Sequence, residues 1–195
     1  MPRSKKLELE NCLLSILVPA RHTEQPRQNP NGGDGEIAQE QPVYVGINIA
    51  SGGAYLGAVQ CPDVVLADDQ ADRILPNEEL DYPARLEDFR ARLAQELRRL
   101  QPAGVGLART RMFKNWTMSS ATVRFGFEAA AMLAAVQEGF PCSLVRQEDA
   151  ARSAEVPMKR MVELLPKALE IERTRYWKER SVAFMVARHL ARKGC

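Results

Sequence analysis

Cationic and aromatic side chains alternate in one segment near the middle of the chain. Its candidate contact residues are Arg109, Arg111, Phe113, Lys114, Asn115 and Trp116. Guanidinium and ammonium groups bind phosphates, and aromatic rings stack on bases. The composition therefore favours contact with a nucleic acid. The alternative reading, in which both rings pack on the domain and the cations are solvated surface, stays open at this point.

The remaining charge is distributed unevenly, although the net charge is only +2. Residues 61–100 hold ten acidic residues against six arginines, whereas residues 151–195 hold eleven basic residues against five acidic ones. The basic half could face a polyanion, and Arg124, Lys159 and Arg160 join the candidate contacts. A solvated helix face gives the same pattern, and a pair such as Glu155 and Lys159 at i,i+4 spacing fits that alternative.

The cysteines and histidines do not form a metal-binding pattern. Cys12, Cys61, Cys142 and Cys195 are not paired at ligand spacing, and the two histidines are far from them in sequence. A disulfide framework would be denser, so we expect buried or incidental thiols. The string GINIASGG lacks the lysine and the six-residue frame of a phosphate loop, and no cofactor is predicted.

No apolar run reaches the roughly 20 residues that span a bilayer. The longest run near the start, CLLSILVPA, is about half that length, so we predict a cytoplasmic protein without a membrane partner. Residues 22–41 are rich in Pro, Gly, Asn and Gln, which predicts a flexible linker. The domain organisation is therefore an N-terminal appendage over 1–21, this linker, and a folded domain over 42–195.

The folded domain alternates between strand and helix patterns. VYVGINIAS and AYLGAVQ flank a Gly pair and predict a hairpin, and DVVLADD predicts a third strand before a polar loop over 69–83. An amphipathic helix starts at Pro83, GVGLA is a buried strand, and residues 119–138 form a helix that is apolar nearly all round and should be buried. The strand PCSLVR and the helix QEDAARSA follow, and the remainder is helical with a break near Pro166. Tyr176, Trp177, Phe184 and Met185 are expected in the core or in a dimer seam.

This order predicts an α/β domain with a central five-stranded mixed sheet flanked by helices. Three strands form an antiparallel meander, and the two that follow are parallel because helical crossovers connect them. It is the order of the ribonuclease H-like fold, although periodicity alone leaves other α/β folds open.

Short motifs within this order resemble those of the RuvC-type Holliday-junction resolvases. The family's first strand ends in a Gly-Ile-Asp-Pro-Gly-Ser type of motif, where this chain has Gly46-Ile47-Asn48-Ile49-Ala50-Ser51. The family's loop with an aromatic residue and a Lys-Asn pair is similar to ARTRMFKNW, which contains Lys114-Asn115. FPCSLVRQEDAARSA is similar to the family's fifth strand and next helix. The resemblance covers about residues 42–190.

The chain departs from the family at its four metal-binding carboxylates. The resemblance places them at Asn48 on the first strand, at Ala108 or, by a slip of one, Arg109 on the fourth, and at Lys178 and Ser181 on the last helix. In the family these groups hold two divalent ions that activate water and stabilise the leaving oxygen. An amide, a methyl, an ammonium and a hydroxyl group cannot replace them. The resemblance thus implies a degenerate site without catalytic residues or a metal ion.

The leading hypothesis is a catalytically inactive RuvC-like domain that binds DNA or RNA, in particular branched or duplex DNA, or serves as an assembly component. The resemblance implies a homodimer, with Phe113 or Trp116 stacking on bases. Two alternatives remain. One is an active metal-dependent nuclease with a relocated site built from Glu128, Glu148, Asp149 or Glu179. The other is a protein-interaction subunit that does not bind nucleic acid.

Overall fold

A computed structural model describes residues 41–50, 52–61, 63–66, 71–110 and 116–195. The predicted appendage and linker lie outside these ranges, apart from Gln41. Four of the candidate contact residues lie outside them as well, namely Arg111, Phe113, Lys114 and Asn115.

The described chain contains strands, helices and a short 3-10 turn in the predicted alternation. The strands are β1 (Val43–Ala50), β2 (Gly53–Gln60), β3 (Val64–Val65), β4 (Arg73–Ile74), β5 (Gly104–Ala108) and β6 (Cys142–Val145). The helices are α1 (Tyr82–Leu100), α2 (Met118–Gln137), α3 (Gln147–Ser153), α4 (Met161–Ala168) and α5 (Trp177–Gly194), with the 3-10 turn at Met158–Arg160.

The strands form one mixed sheet in the order β3-β2-β1-β5-β6. The pairs β1–β2 and β2–β3 are antiparallel, and β1–β5 and β5–β6 are parallel, which confirms the predicted arrangement. The sheet has a sixth strand, because the loop predicted over 69–83 contains β4, which pairs with β2. Ile74 is buried there in the main core and Tyr55 pairs with Arg73, so two residues of this loop join the sheet.

One face of the sheet is covered by α1 and α2. Val45, Ile47 and Ile49 alternate along β1 and are buried in the same cluster as the apolar stripe of α1. Phe89 of α1 meets Phe127 of α2 edge to face, with 4.9 Å between ring centroids. This face forms the larger part of the core.

The opposite face is covered by α5, which packs on a row of glycines. Gly46 in β1 is in register with Gly57 in β2 and with Gly106 in β5. A Cβ atom on Gly46 would lie 1.9 Å from the carbonyl oxygen of Ala183, and one on Gly57 would lie 2.4 Å from the amide nitrogen of Phe184. Gly46 and Gly57 therefore allow the helix backbone to approach the sheet closely, and Gly106 leaves room for the side chains of Val186 and Leu190.

The predicted break near Pro166 falls later in the chain. Helix α4 continues through Pro166, and residues 169–176 separate it from α5. Proline has no N–H to donate to the carbonyl of Val162, four residues earlier. The indole Nε1 of Trp177 donates a hydrogen bond to that oxygen at 2.8 Å, so the carbonyl is satisfied from α5.

Helix α2 is not buried all round, which corrects the sequence prediction. Its inner face is buried, but Met118, Phe125, Leu133 and Val136 are exposed, with Met118 at 83%. Helix α2 therefore has two apolar faces. One packs on the rest of the domain, and the other is exposed.

The expectation of incidental thiols is wrong for two cysteines. Cys61, in the turn after β2, and Cys195 form a disulfide with 6.1 Å between their Cα atoms. They are 134 residues apart in sequence, and only the packing of α5 on β2 brings them together. Cys142 is a free, half-buried thiol, and burial raises its pKa.

Within the described ranges, no helix combines the length and the apolar character needed to cross a membrane.

Candidate functional site

The first position singled out by the sequence, Asn48, lies on the face of β1 that α5 covers. It is 6% exposed, and its side-chain Nδ2 donates a hydrogen bond to the backbone carbonyl of Glu179 at 3.0 Å. Ala108 ends the neighbouring strand β5 and packs in one cluster with Trp177 and Val182 of α5. The carboxyl ends of β1 and β5 therefore meet the first turns of α5.

The two candidate positions on α5 have different environments. Lys178 is exposed. Ser181 is fully buried, and its hydroxyl donates a hydrogen bond to the backbone carbonyl of Lys178 at 2.9 Å. The hydroxyl is therefore engaged with its own helix.

The structure identifies Arg180 as a site residue that sequence reasoning missed. Its side chain is 1% exposed, its Nε donates to the carbonyl of Leu56 at 3.0 Å, and its Nη1 pairs with the carboxylate of Asp72. In the sequence, Arg180 is one of several basic residues that read as a solvated face. Only the antiparallel return of the chain into β4 places Asp72 within reach.

An aromatic and cationic cluster borders Arg180. The ring of Tyr176, just before α5, lies edge to face with Tyr55, with 5.9 Å between centroids. The guanidinium carbons of Arg73 and Arg175 lie over the Tyr176 ring at 4.2 and 4.8 Å from its centroid. Since Tyr55 is the cross-strand neighbour of both Asn48 and Arg73, the cluster is continuous with Asn48.

A cleft of about 440 Å³ opens at the same end of β1, where β1 and the following turn face α2. Its walls are formed by Ile49, Ala50, Gly52, Trp116, Ser119, Ser120, Val123, Arg124 and Phe127. The guanidinium carbon of Arg124 lies 5.2 Å from the ring centroid of Trp116. Two predicted contact residues, Trp116 and Arg124, therefore line one cleft.

The electrostatics of Arg124 reflect its position between helix and loop. Its Nε donates to the hydroxyl of Thr110 at 3.3 Å. Burial lowers the pKa of its guanidinium, and the negative charge of Glu128, one turn later in α2, opposes that change. Because the ordinary pKa of arginine is far above 7, the group remains a cation held at the edge of the cleft.

Of the other predicted contacts, the three that the structure describes do not line the cleft. Arg109 is exposed directly after β5, where its backbone N–H donates to the carbonyl of Val145 at 2.8 Å. Lys159 and Arg160 lie in the 3-10 turn between α3 and α4, and Arg160 pairs with Glu163 at 3.0 Å.

The carboxylates considered for a relocated metal site are spread over three helices. Glu128 is buried in α2, Glu148 and Asp149 lie in the first turn of α3, and Glu179 lies in the first turn of α5. In the part of the chain that the structure describes, no three His, Cys, Asp or Glu side chains are grouped so that they could share a metal ion.

Comparison with solved structures identifies the fold. Thermus thermophilus RuvC matches with a TM-score of 0.62 at 15% identity, covering 75% of this chain and 92% of that one. T. thermophilus RuvC in complex with a Holliday junction substrate gives 0.63 at 17% identity, covering 78% and 96%. The yeast mitochondrial Holliday junction resolvase Ydc2 gives 0.53 at 16% identity, covering 76% and 77%. No family model and no curated protein sequence matches the chain.

These likenesses show an α/β domain with the RuvC-type, ribonuclease H-like fold, as the sequence motifs predicted. At this level of identity they establish the fold, and what the domain does has to be argued from its own residues.

Proposed function

We propose that this domain binds branched or duplex DNA and does not cut it. The observation that carries the proposal is the cleft at the carboxyl end of β1, where Trp116 offers a ring for stacking and Arg124 a cation for phosphate. A protein of the same fold, T. thermophilus RuvC, has been solved with a Holliday junction substrate.

The absence of cleavage is proposed from the side chains at the same end of β1, on the face that α5 covers. Asn48 supplies an amide that already bonds to Glu179, Ala108 supplies a methyl group, and Ser181 bonds within its helix. Hard divalent ions require several oxygen ligands, usually charged ones. The residues at these positions do not fit two metal ions, and we derive no hydrolytic step through them.

DNA binding is tested with a fluorescent four-way junction and a duplex of equal length, by anisotropy over a series of salt concentrations. Trp116→Ala should weaken binding about 10-fold or more, since stacking contributes roughly 1–3 kcal/mol per base. Trp116→Phe should retain most of the affinity. Arg98→Gln is the control, because Arg98 lies in the last turn of α1, pairs with Glu138 and does not line the cleft. Equal affinity of wild type and Trp116→Ala would remove this cleft from the interface.

The same junction, incubated with Mg²⁺ or Mn²⁺, tests the absence of cleavage. We expect no product above the background. Metal-dependent cutting that survives Asn48→Ala would overturn the proposal and favour the relocated nuclease site.

The exposed face of α2 supports the homodimer. Its residues recur every three or four positions, and larger and smaller side chains alternate in the order Met118, Thr122, Phe125, Ala129, Leu133 and Val136. The charged residues of α2, Arg124 and Glu128, are withdrawn from this face, being half-buried and buried. A second copy running in the opposite direction can place its large side chains over the small ones, as in a coiled-coil seam.

Ala129→Arg should therefore convert a dimer to a monomer in analytical ultracentrifugation. The matched control is Ala91→Arg, an exposed alanine on α1, which should leave the dimer intact. A dimer that survives Ala129→Arg would place the interface elsewhere. A wild-type monomer would favour a different protein partner for this face.

The cytoplasmic location stays a prediction. The Cys61–Cys195 disulfide bears on it, because disulfides are uncommon in that compartment.

A further inference from the structure

Two arginines meet one tyrosine ring at the first turn of α5. Arg73 and Arg175 both lie over Tyr176, within 5 Å of its ring centroid. In the described part of the chain, no carboxylate forms an ion pair with either of them. We propose that Arg73, Arg175 and Tyr176 form a site for a phosphate group of the nucleic-acid backbone, which binds it without a metal ion.

The local charge balance supports an anionic ligand. Three guanidinium groups lie near this turn, and the neighbouring carboxylate of Asp72 is engaged by one of them, Arg180. Glu179 is on the same turn but forms no ion pair with Arg73 or Arg175. The positive end of α5, an 18-residue helix, adds to the excess of positive charge. Among the residues that the structure describes, no carboxylate pairs with Arg73 or Arg175, and a phosphate would neutralise these two cations.

The backbone at Tyr176 is a second, independent indication. Its φ is 55°, in the left-handed region that an aromatic residue rarely adopts. The carbonyl of Tyr176 accepts hydrogen bonds from the N–H groups of Glu179 and Arg180, at 3.0 Å each, and its ring contacts Tyr55. Strained residues of this kind persist where the surroundings hold them, often at ligand sites. Here the strained conformation holds the ring under the two guanidinium groups.

The chemistry of the two arginines fits a phosphate group. Guanidinium groups present a planar fork of donors that matches phosphate oxygens, and packing on an aromatic ring restricts their motion before binding. Through Tyr55 and Asn48, the arginine and tyrosine site lies at the same end of β1 as the Trp116 cleft. The site and the cleft are on opposite faces of the sheet. A DNA molecule that crosses this edge would therefore meet both.

The site rests on the proposed DNA binding, and its test separates the two. Anisotropy with the four-way junction is measured in EDTA over a salt series for wild type, Arg73→Gln, Arg175→Gln and the control Arg98→Gln. Each variant of the site should raise the Kd by roughly 5- to 10-fold at 0.1 M salt and reduce the salt slope by about one. Arg98→Gln should behave as wild type, and thermal melts should show that all four are folded.

The outcomes are distinguishable. A wild type that binds no DNA would overturn the proposed function. A wild type that binds, with Arg73→Gln and Arg175→Gln indistinguishable from Arg98→Gln, would overturn only this site. Binding that disappears in EDTA would contradict recognition without a metal ion. Displacement of the junction by submillimolar AMP would show that the site takes a free nucleotide, and would overturn its assignment to the DNA backbone.

Discussion

Gly46→Ala is expected to be among the most destabilising single substitutions in this domain. The new Cβ would lie 1.9 Å from the carbonyl oxygen of Ala183 and 2.7 Å from the amide nitrogen of Ala187. These two atoms are four residues apart and belong to one turn of α5, so no flexible side chain can move aside. The helix must shift away from the sheet. Overpacking of this kind costs about 3 kcal/mol in the free energy of unfolding, measured by urea denaturation.

Gly104→Ala provides the matched control. Gly104 also lies in a strand beside β1, but a Cβ there would meet the ring of Tyr44 at 3.3 Å and the carbonyl oxygen of Pro141 at 4.0 Å, the second an ordinary contact. It should lower the free energy of unfolding by less than about 1 kcal/mol. If Gly46→Ala and Gly104→Ala both unfold at the same urea concentration as wild type, α5 does not pack on the glycine row as closely as described.

The glycine row also explains why the position of Asn48 depends on α5. Asn48 is two residues after Gly46 on the same face of β1. Its side chain donates a hydrogen bond to the first turn of α5, the helix that packs directly on Gly46. A Gly46→Ala protein that still folds should therefore bind DNA more weakly, because the shift of α5 displaces Tyr176 and Arg175 as well.

The strand order and the position of Asn48 on β1 were predictable from the sequence, because both depend on local sequence patterns. Alternating apolar residues and a Gly pair define the hairpin, and crossovers between apolar strands require parallel pairing. Asn48 was recognisable from its place in a short motif. The small strand β4 could not be predicted from the sequence, because a strand of two residues is too short to show an alternating pattern.

The parts that sequence reasoning missed depend on contacts between distant residues. Arg180 bonds to Leu56 and Asp72, which are 124 and 108 residues away. A buried arginine cannot be told from a solvated one by its neighbours in sequence, because its carbonyl and carboxylate partners are brought in by the sheet. Tyr176 was expected in the core or in a dimer seam; it is half-buried, and its ring environment comes from β2, β4 and the residue before it.

Loss of the Cys61–Cys195 disulfide is the second change with a large expected effect. The bond closes a loop between residues 134 apart, and it fixes the residue after α5 to the turn after β2. Opening so long a loop increases the entropy of the unfolded chain and should cost about 2–5 kcal/mol. For a domain of this size, each kcal/mol lowers the Tm by roughly 2–4 °C. Cys61→Ser should therefore melt well below the oxidised wild type in a calorimetric scan.

Two controls, treatment with a reductant and the variant Cys142→Ser, show whether the lower Tm is due to loss of the disulfide. Dithiothreitol should lower the Tm of wild type to near that of Cys61→Ser and leave Cys61→Ser itself unchanged. Cys142→Ser removes a half-buried thiol that is not in a disulfide, so it should change the Tm little and keep the response to reductant. Because Ala187 and Ala191 of α5 pack with Cys61 and Val59, the reduced protein should first lose hydrogen-exchange protection in the last turns of that helix. A wild-type Tm that is the same with and without reductant would show that the bond does not stabilise the domain.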